Sequence, residues 1–324
     1  MPLFPPTLPL RSGILPEEDG HHVFWETFGT PSRPAMLLLH GGPGGGVQAR
    51  MPRLFDPERW HVVATDQRGA GRSWPHAGED VAALRANTTA HLVHDLERLR
   101  REIGVERWHL YGSSWGATLA QAYAQSHPGR VAGLILASVT STSRFEIEFL
   151  YWGAGAFLPE AHEAFRAGAP DVEGGVALCA AYGERLVCGD PAIEAAAAQA
   201  WCRWEEAVLQ VDPRAEPSGA FADARFRLGF ARVVAHYFRD LAWLDPPLLD
   251  RAAALADIPA ILINSRTDLS CPLATAWRLH RAMPRSDLVV VPGSLHGTLY
   301  GPIAEAIVAA GGRFAEGGMA PAGR

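Results

Sequence analysis

The sequence contains no lysine, and all 29 of its fixed positive charges are carried by arginine. That absence removes any G-x-x-x-x-G-K-[ST] phosphate loop, and no basic run or stripe stands in its place. With a formal net charge of −6, a nucleic-acid partner is not expected. The exclusive use of arginine reads as the mark of a GC-rich coding sequence rather than as chemistry. Cysteine is scarce too: Cys179, Cys188, Cys202 and Cys271 show no C-x-x-C and no metal-ligand spacing. They are expected to be small buried hydrophobes in a reducing compartment, and no metal site is expected. No apolar run approaches the length of a membrane-spanning helix, so no membrane partner is expected. The first residues, "MPLFPPTLPL", lack a basic leader and are broken by prolines, so a signal peptide is not expected and a cytoplasmic location is.

What is present suits one large globular domain, or one domain with an insertion: 324 residues, 48% hydrophobic and 20% charged. Strands are expected over 22–28, 35–39, 60–65, 108–111, 133–137, 260–264 and 287–291, the later ones as apolar runs of the kind buried on both faces of a parallel sheet. Helical patterns lie between them, such as Ala90 to Gly104 with its glycine stop. This alternation predicts an α/β fold with a mostly parallel, doubly wound sheet. It lapses between about Ser141 and Pro246, where composition is helical and aromatic. That stretch reads as a helical cap of residues 141–245, inserted after the sixth strand over a core of 1–140 and 246–324. Ligands in open α/β sheets bind at the carboxyl edge such a cap would cover. The tail "GGRFAEGGMAPAGR" is expected to fray.

The stretch "HLYGSSWGATLA" carries the chemistry. Gly112-Ser113-Ser114-Trp115-Gly116 fits G-x-S-x-G between a strand and a helix, with Ser114 and not Ser113 at its centre. A serine hydroxyl needs a base, and the base needs an orienting carboxylate. Asp268 follows the strand "AILIN" and His296 follows "DLVVV", which gives the order Ser, Asp, His of the α/β-hydrolases, each at a strand's carboxyl end. "HGGPGGG", His40 to Gly46, can turn backbone N–H groups toward a carbonyl. The backbone N–H groups of Gly42 and Trp115 are the expected oxyanion donors, and His40 is expected to be structural. Serine at the elbow disfavours a dehalogenase or epoxide hydrolase, which place Asp there.

Beyond the triad, the chain resembles the prolyl aminopeptidases (proline iminopeptidases) over nearly its whole length. "HGGPGGG", "DQRGAGRSWPH", "NTT", "GSSWG", "YAQSHPGRV", "CPLATAWRLHRAMP", "AWCRWEEAV" and "FARVVAHYF" all look like that family. The resemblance implies an α/β-hydrolase fold, no cofactor or metal, and release of an N-terminal residue, typically proline, from short peptides. It places the triad on Ser114, Asp268 and His296. It also implies that cap carboxylates grip the substrate amine. Glu205 keeps the first of these, whereas Val234 stands where the second belongs, and Thr140 stands where an aromatic wall belongs. Phe238 is the expected contact to the substrate ring, ahead of His236 and Tyr237, while Trp201 and Trp204 are expected to pack the cap. Ser113 replaces a glycine. Catalytic residues are kept and recognition residues altered, which suits a re-targeted hydrolase. The alternatives are a specialised amidase or esterase, an acyltransferase, a non-hydrolytic cyclase or lyase, and an idle receptor or scaffold.

Overall fold

A computed structural model describes residues 3–217 and 219–317. The expected fraying of the tail beyond 317 therefore lies outside the described residues. Eight strands among these residues form one sheet: β1 (Arg11–Ile14), β2 (Phe24–Gly29), β3 (Ala35–Leu39), β4 (His61–Thr65), β5 (Trp108–Ser114), β6 (Val131–Val139), β7 (Ala260–Ser265) and β8 (Ser286–Val291). Their order is β1-β2-β4-β3-β5-β6-β7-β8; β2 pairs antiparallel with both β1 and β4, and the other pairs are parallel.

Continuous apolar runs make these central strands because both sheet faces are covered. Alternate side chains serve opposite layers: Leu37, Leu39, Leu110 and Leu134 enter one core, and Met36, Leu38, Tyr111 and Ile135 the other. The first layer holds helices α1 (Thr89–Ile103) and α2 (Trp115–Ser126), and the second is closed by α9 (Gly301–Ala315). Helix α1 stops where expected: Gly104 has φ 78°, and its N–H donates to the carbonyls of Arg100 and Arg101. Two strands depart from the sequence reading. β1 escapes it because "RSGI" is short and mostly exposed. β8 is not buried on both faces, since only β7 flanks it and Asp287 to Val290 are half-buried.

Between β6 and β7 the chain is helical: α3 (Arg144–Tyr151), α4 (Pro159–Arg166), α5 (Gly175–Arg185), α6 (Pro191–Gln210) and α7 (Ala224–Arg239), with α8 (Leu273–Ala282) following β7. Asp190 caps α6, its Oδ1 accepting from the N–H groups of Ala192 at 2.9 Å and Ile193 at 3.4 Å, while Pro191 fixes the first helical turn. Aromatic packing holds these helices together. Phe165 stacks on Tyr182 at 4.6 Å and on Trp204 at 5.7 Å, and both Trp201 and Trp204 are fully buried in the cluster. Of the cysteines, Cys179, Cys202 and Cys271 are buried as expected, but Cys188 is exposed, because it falls in the turn between α5 and α6. No helix among the described residues is long and apolar enough to cross a membrane.

Candidate active site

Strand β5 ends at Ser114 and α2 starts at Trp115, so one residue makes the whole change of direction. Ser114 takes it at φ 55° and ψ −128°, a region costly for a residue with a side chain. The flanking glycines are there for lack of room. A Cβ on Gly112 would lie 2.2 Å from the Gly116 carbonyl oxygen, and one on Gly116 would lie 2.1 Å from that of Leu39. The turn presents Ser114 to a cavity at the carboxyl edge of the sheet, with the N-terminus of α2 behind it. Ser113 also borders that cavity but is buried.

The glycine-rich loop after β3 lies directly against this turn. A Cβ on Gly41 would sit 3.3 Å from the Ser114 Cβ, a tight fit, and Gly42 adopts φ 113° with a Cβ there 2.7 Å from the Gly44 nitrogen, which excludes a side chain. Gly42 and Trp115 both line the cavity with Ser114. Gln67 braces the pair: its Nε2 donates to the His40 carbonyl at 3.0 Å, and its Oε1 accepts from the Trp115 indole at 2.8 Å. His40 Nε2 accepts from the Gln67 N–H at 3.0 Å, and burial holds this imidazole below its usual pKa. Asp66 fixes the far end of the loop through the Val47 N–H at 2.6 Å.

The turn after β7 brings Asp268, and the turn after β8 brings His296, to the same edge. His296 Nδ1 lies 2.9 Å from Asp268 Oδ2 and 3.2 Å from Oδ1. Asp268 is itself oriented, its Oδ1 accepting from the N–H groups of Ser270 at 2.9 Å and Cys271 at 2.8 Å. Burial alone would lower the His296 pKa, but the Asp268 carboxylate beside it and the contact with Cys271 raise it well above the ordinary imidazole value. The sequence reading passed over one neighbour: the Cys271 Sγ lies 3.9 Å from Ser114 Oγ. Burial raises the pKa of this thiol. Its position three residues after the acid was the available signal. No hydrogen bond joins His296 directly to Ser114 among the described residues, and such bonds commonly tighten only once substrate is in place. Asp268, Cys271 and His296 are also the one group among the described residues whose potential metal-ligand atoms lie within 4.8 Å of one another. Two of those three side chains are already committed to each other.

Above these residues the cavity encloses about 550 Å³. Glu205, Thr140 and Phe238 line it; Val234 does not, and is fully buried in the core. His236 and Tyr237 turn away, bonding the Asn87 carbonyl at 2.9 Å and the Asn87 side chain at 2.7 Å. Glu205 Oε1 accepts from the Tyr151 hydroxyl at 2.5 Å and the Trp201 indole at 3.2 Å, while its Oε2 has no hydrogen-bond partner among the described residues. Burial pushes the Glu205 pKa up, against the lowering effect of these donors and of His296. Glu146 also lines the cavity, but its oxygens are taken by Thr140, Ser141, Ser143 and Thr275 at 2.6–3.2 Å. The sequence reading missed Tyr151, Glu146 and Glu206 as cavity residues, because helical spacing in a buried bundle leaves open which face lines a cleft.

A sequence profile of the alpha/beta hydrolase fold family matches residues 34–301. A Streptomyces coelicolor protein named "Probable proline iminopeptidase" is 42% identical over 99% of this chain and 100% of its own length. A Xylella fastidiosa protein named "Proline iminopeptidase" is 39% identical over 96% of this chain and 99% of its own. Among solved structures, that of VinJ superposes with a TM-score of 0.67 at 20% identity, covering 96% of this chain and 99% of VinJ, which is a likeness of fold.

Proposed function

We propose a mechanism from the premise that the chain belongs to the alpha/beta hydrolase family and, within it, to the proline iminopeptidases. It is a serine hydrolase that resembles prolyl aminopeptidase. In our reading Ser114 is its nucleophile, His296 the base, Asp268 the orienting acid, and Glu205 the anchor for the amine of a short peptide or amino-acid amide. One observation carries this reading: a serine on a strained strand-to-helix turn and a buried carboxylate with one unengaged oxygen face the same cavity. Residues 141–245 act here as a cap on a core of 1–140 and 246–324, since α3, α6 and α7 supply Tyr151, Glu205 and Phe238.

The substrate ammonium binds Glu205, Phe238 packs on the first side chain, and the scissile carbonyl meets Ser114. Ser114 Oγ adds to the carbonyl carbon as its proton passes to His296 Nε2, while Asp268 holds the Nδ1 proton. The N–H groups of Gly42 and Trp115 receive the developing oxyanion, each contributing roughly 3 kcal/mol in the transition state. His296 then protonates the leaving nitrogen and the C–N bond breaks, leaving an acyl-enzyme. Water gives its proton to His296, attacks the ester carbonyl, and releases the acid with Ser114 restored.

A second reading, an amidase or esterase indifferent to the amine, is favoured by Val234 and Thr140, which put an apolar core residue and a hydroxyl where the family resemblance implies a carboxylate and an aromatic ring. The kcat/KM of prolyl naphthylamide relative to its N-acetylated twin separates the two, with Ser114→Ala as the blank. A ratio above about 100, near the top of what one charge-assisted hydrogen bond supplies, supports the aminopeptidase. A ratio near one supports the second reading.

A further inference from the structure

The amine anchor occupies only one end of the cavity. Helix α7 runs along it, with Phe238 beside Tyr151 at that end and Phe226 and Phe230 lining the cavity two to three turns earlier. At 1.5 Å per residue, these positions are separated by roughly 12–18 Å. A residue spans at most about 3.6 Å of chain, so a first residue held between Glu205 and Ser114 leaves the far end to whatever follows the scissile bond. That end is aromatic. Phe221, from the short helix Gly219–Ala222, lies 4.9 Å from Phe230, and Phe226 stacks on Phe230 at 5.9 Å. Leu209 adds to the wall, and both Phe221 and Phe226 are half-buried with their rings bordering the cavity.

The chemistry sets the same direction. The leaving nitrogen takes its proton from His296, so the leaving group lies along the His296 loop, where Leu299 and Tyr300 also line the cavity. The backbone of α7 at Phe230 packs on the glycine-rich loop: a Cβ at Gly44 would be 3.5 Å from the Phe230 Cα. The aromatic wall and the His296 loop thus border the same cavity. Glu206 on α6 also lines the cavity, and its Oε1 accepts from Gln210 at 2.6 Å.

We propose that Phe221, Phe226, Phe230 and Leu209 form a leaving-group site that selects substrates with an aromatic group after the scissile bond. This rests on the aminopeptidase reading above. The test measures kcat/KM for three amides that share proline as the first residue: Pro-Phe-NH2, Pro-Gly-NH2 and Pro-Arg-NH2. The site predicts Pro-Phe-NH2 over Pro-Gly-NH2 by at least about tenfold, the low end of what withdrawing a phenyl ring from water gives. Phe226→Ala is expected to shrink that ratio at least fivefold. Leu209→Ala is expected to do the same and serves where the first variant does not fold. A wild-type ratio near one, a preference for Pro-Arg-NH2 set by Glu206, or a ratio unmoved by either variant overturns the inference while the aminopeptidase reading stands. Failure of the folded enzyme to cleave any of the three overturns that reading, and the inference falls with it.

Discussion

Replacing Glu205 by glutamine removes a charge and almost nothing else. The amide oxygen of Gln can still accept from the Tyr151 hydroxyl and the Trp201 indole, which both bond Oε1 in the wild type. What disappears is the carboxylate's attraction for an ammonium group in the cavity. A hydrogen bond to a charged partner contributes roughly 1.5–3 kcal/mol, so kcat/KM for a substrate with a free amine falls about 10- to 150-fold. The N-acetylated twin brings no ammonium and loses nothing. Stability gives an independent check. Burial raises the Glu205 pKa above its ordinary value, so the charged form is disfavoured in the folded protein and costs stability that is regained as pH falls through the raised value. A neutral Gln escapes this penalty at pH 7, and the thermal midpoint of Glu205→Gln matches or exceeds that of the wild type. The assay is the ratio of kcat/KM on prolyl naphthylamide to that on the acetylated compound, for both proteins. An equal loss on both substrates, or no loss on the free amine, refutes the anchoring role.

Three further outcomes follow from the same geometry. In the proposed mechanism His296 acts as a base only when neutral, and its pKa is raised above 6.5 by Asp268 against the lowering effect of burial, so kcat/KM is expected to fall with decreasing pH through an inflection above 6.5. A pH–rate profile with its acid limb at or below 6.5 contradicts this. Gly116→Ala drives a methyl group to within 2.1 Å of the Leu39 carbonyl oxygen and is expected to cost about 1–3 kcal/mol, read as a lower urea midpoint. An unchanged midpoint refutes the steric account of the elbow. Glu146→Gln turns an amide NH2 toward donors from Thr140, Ser141, Ser143 and Thr275, and loses about 3 kcal/mol by the same measurement. Wild-type stability in that variant shows that the buried network is dispensable.

How far each part was legible in the sequence depends on whether its cause is local. Gly112, Ser114 and Gly116 sit within five residues; Gly112 is demanded by the turn itself and Gly116 by the end of the neighbouring strand β3, so a short motif encodes both a local and a tertiary constraint. Strands β3 to β7 declared themselves because burial on both faces leaves an uninterrupted apolar run. β1 did not, since an edge strand needs only backbone pairing and "RSGI" has no pattern to betray it. Asp268 and His296 were proposed from chain order at strand ends, and the structure brings their side chains together, whereas Cys271 was passed over because its one signal, a position three residues after the acid, belongs to no motif. The helical stretch between β6 and β7 was least legible. Tyr151 and Glu205 meet across 54 residues, and Phe221, Phe226 and Phe230 form a wall only once α7 is laid over the glycine-rich loop. Val234 shows the converse: family resemblance put a recognition position there, and the structure puts an apolar side chain in the core.

The most direct test is covalent capture with a diphenyl phosphonate analogue of proline, free-amine and N-acetylated, read by intact mass and peptide mapping. The account predicts one adduct per chain on Ser114 and none in Ser114→Ala. It also predicts that the free-amine compound labels at least about tenfold faster, the lower end of one charge-assisted bond. Labelling of another residue such as Cys271, or equal rates with the two compounds, contradicts the claim that this elbow serine works under a carboxylate that holds the amine.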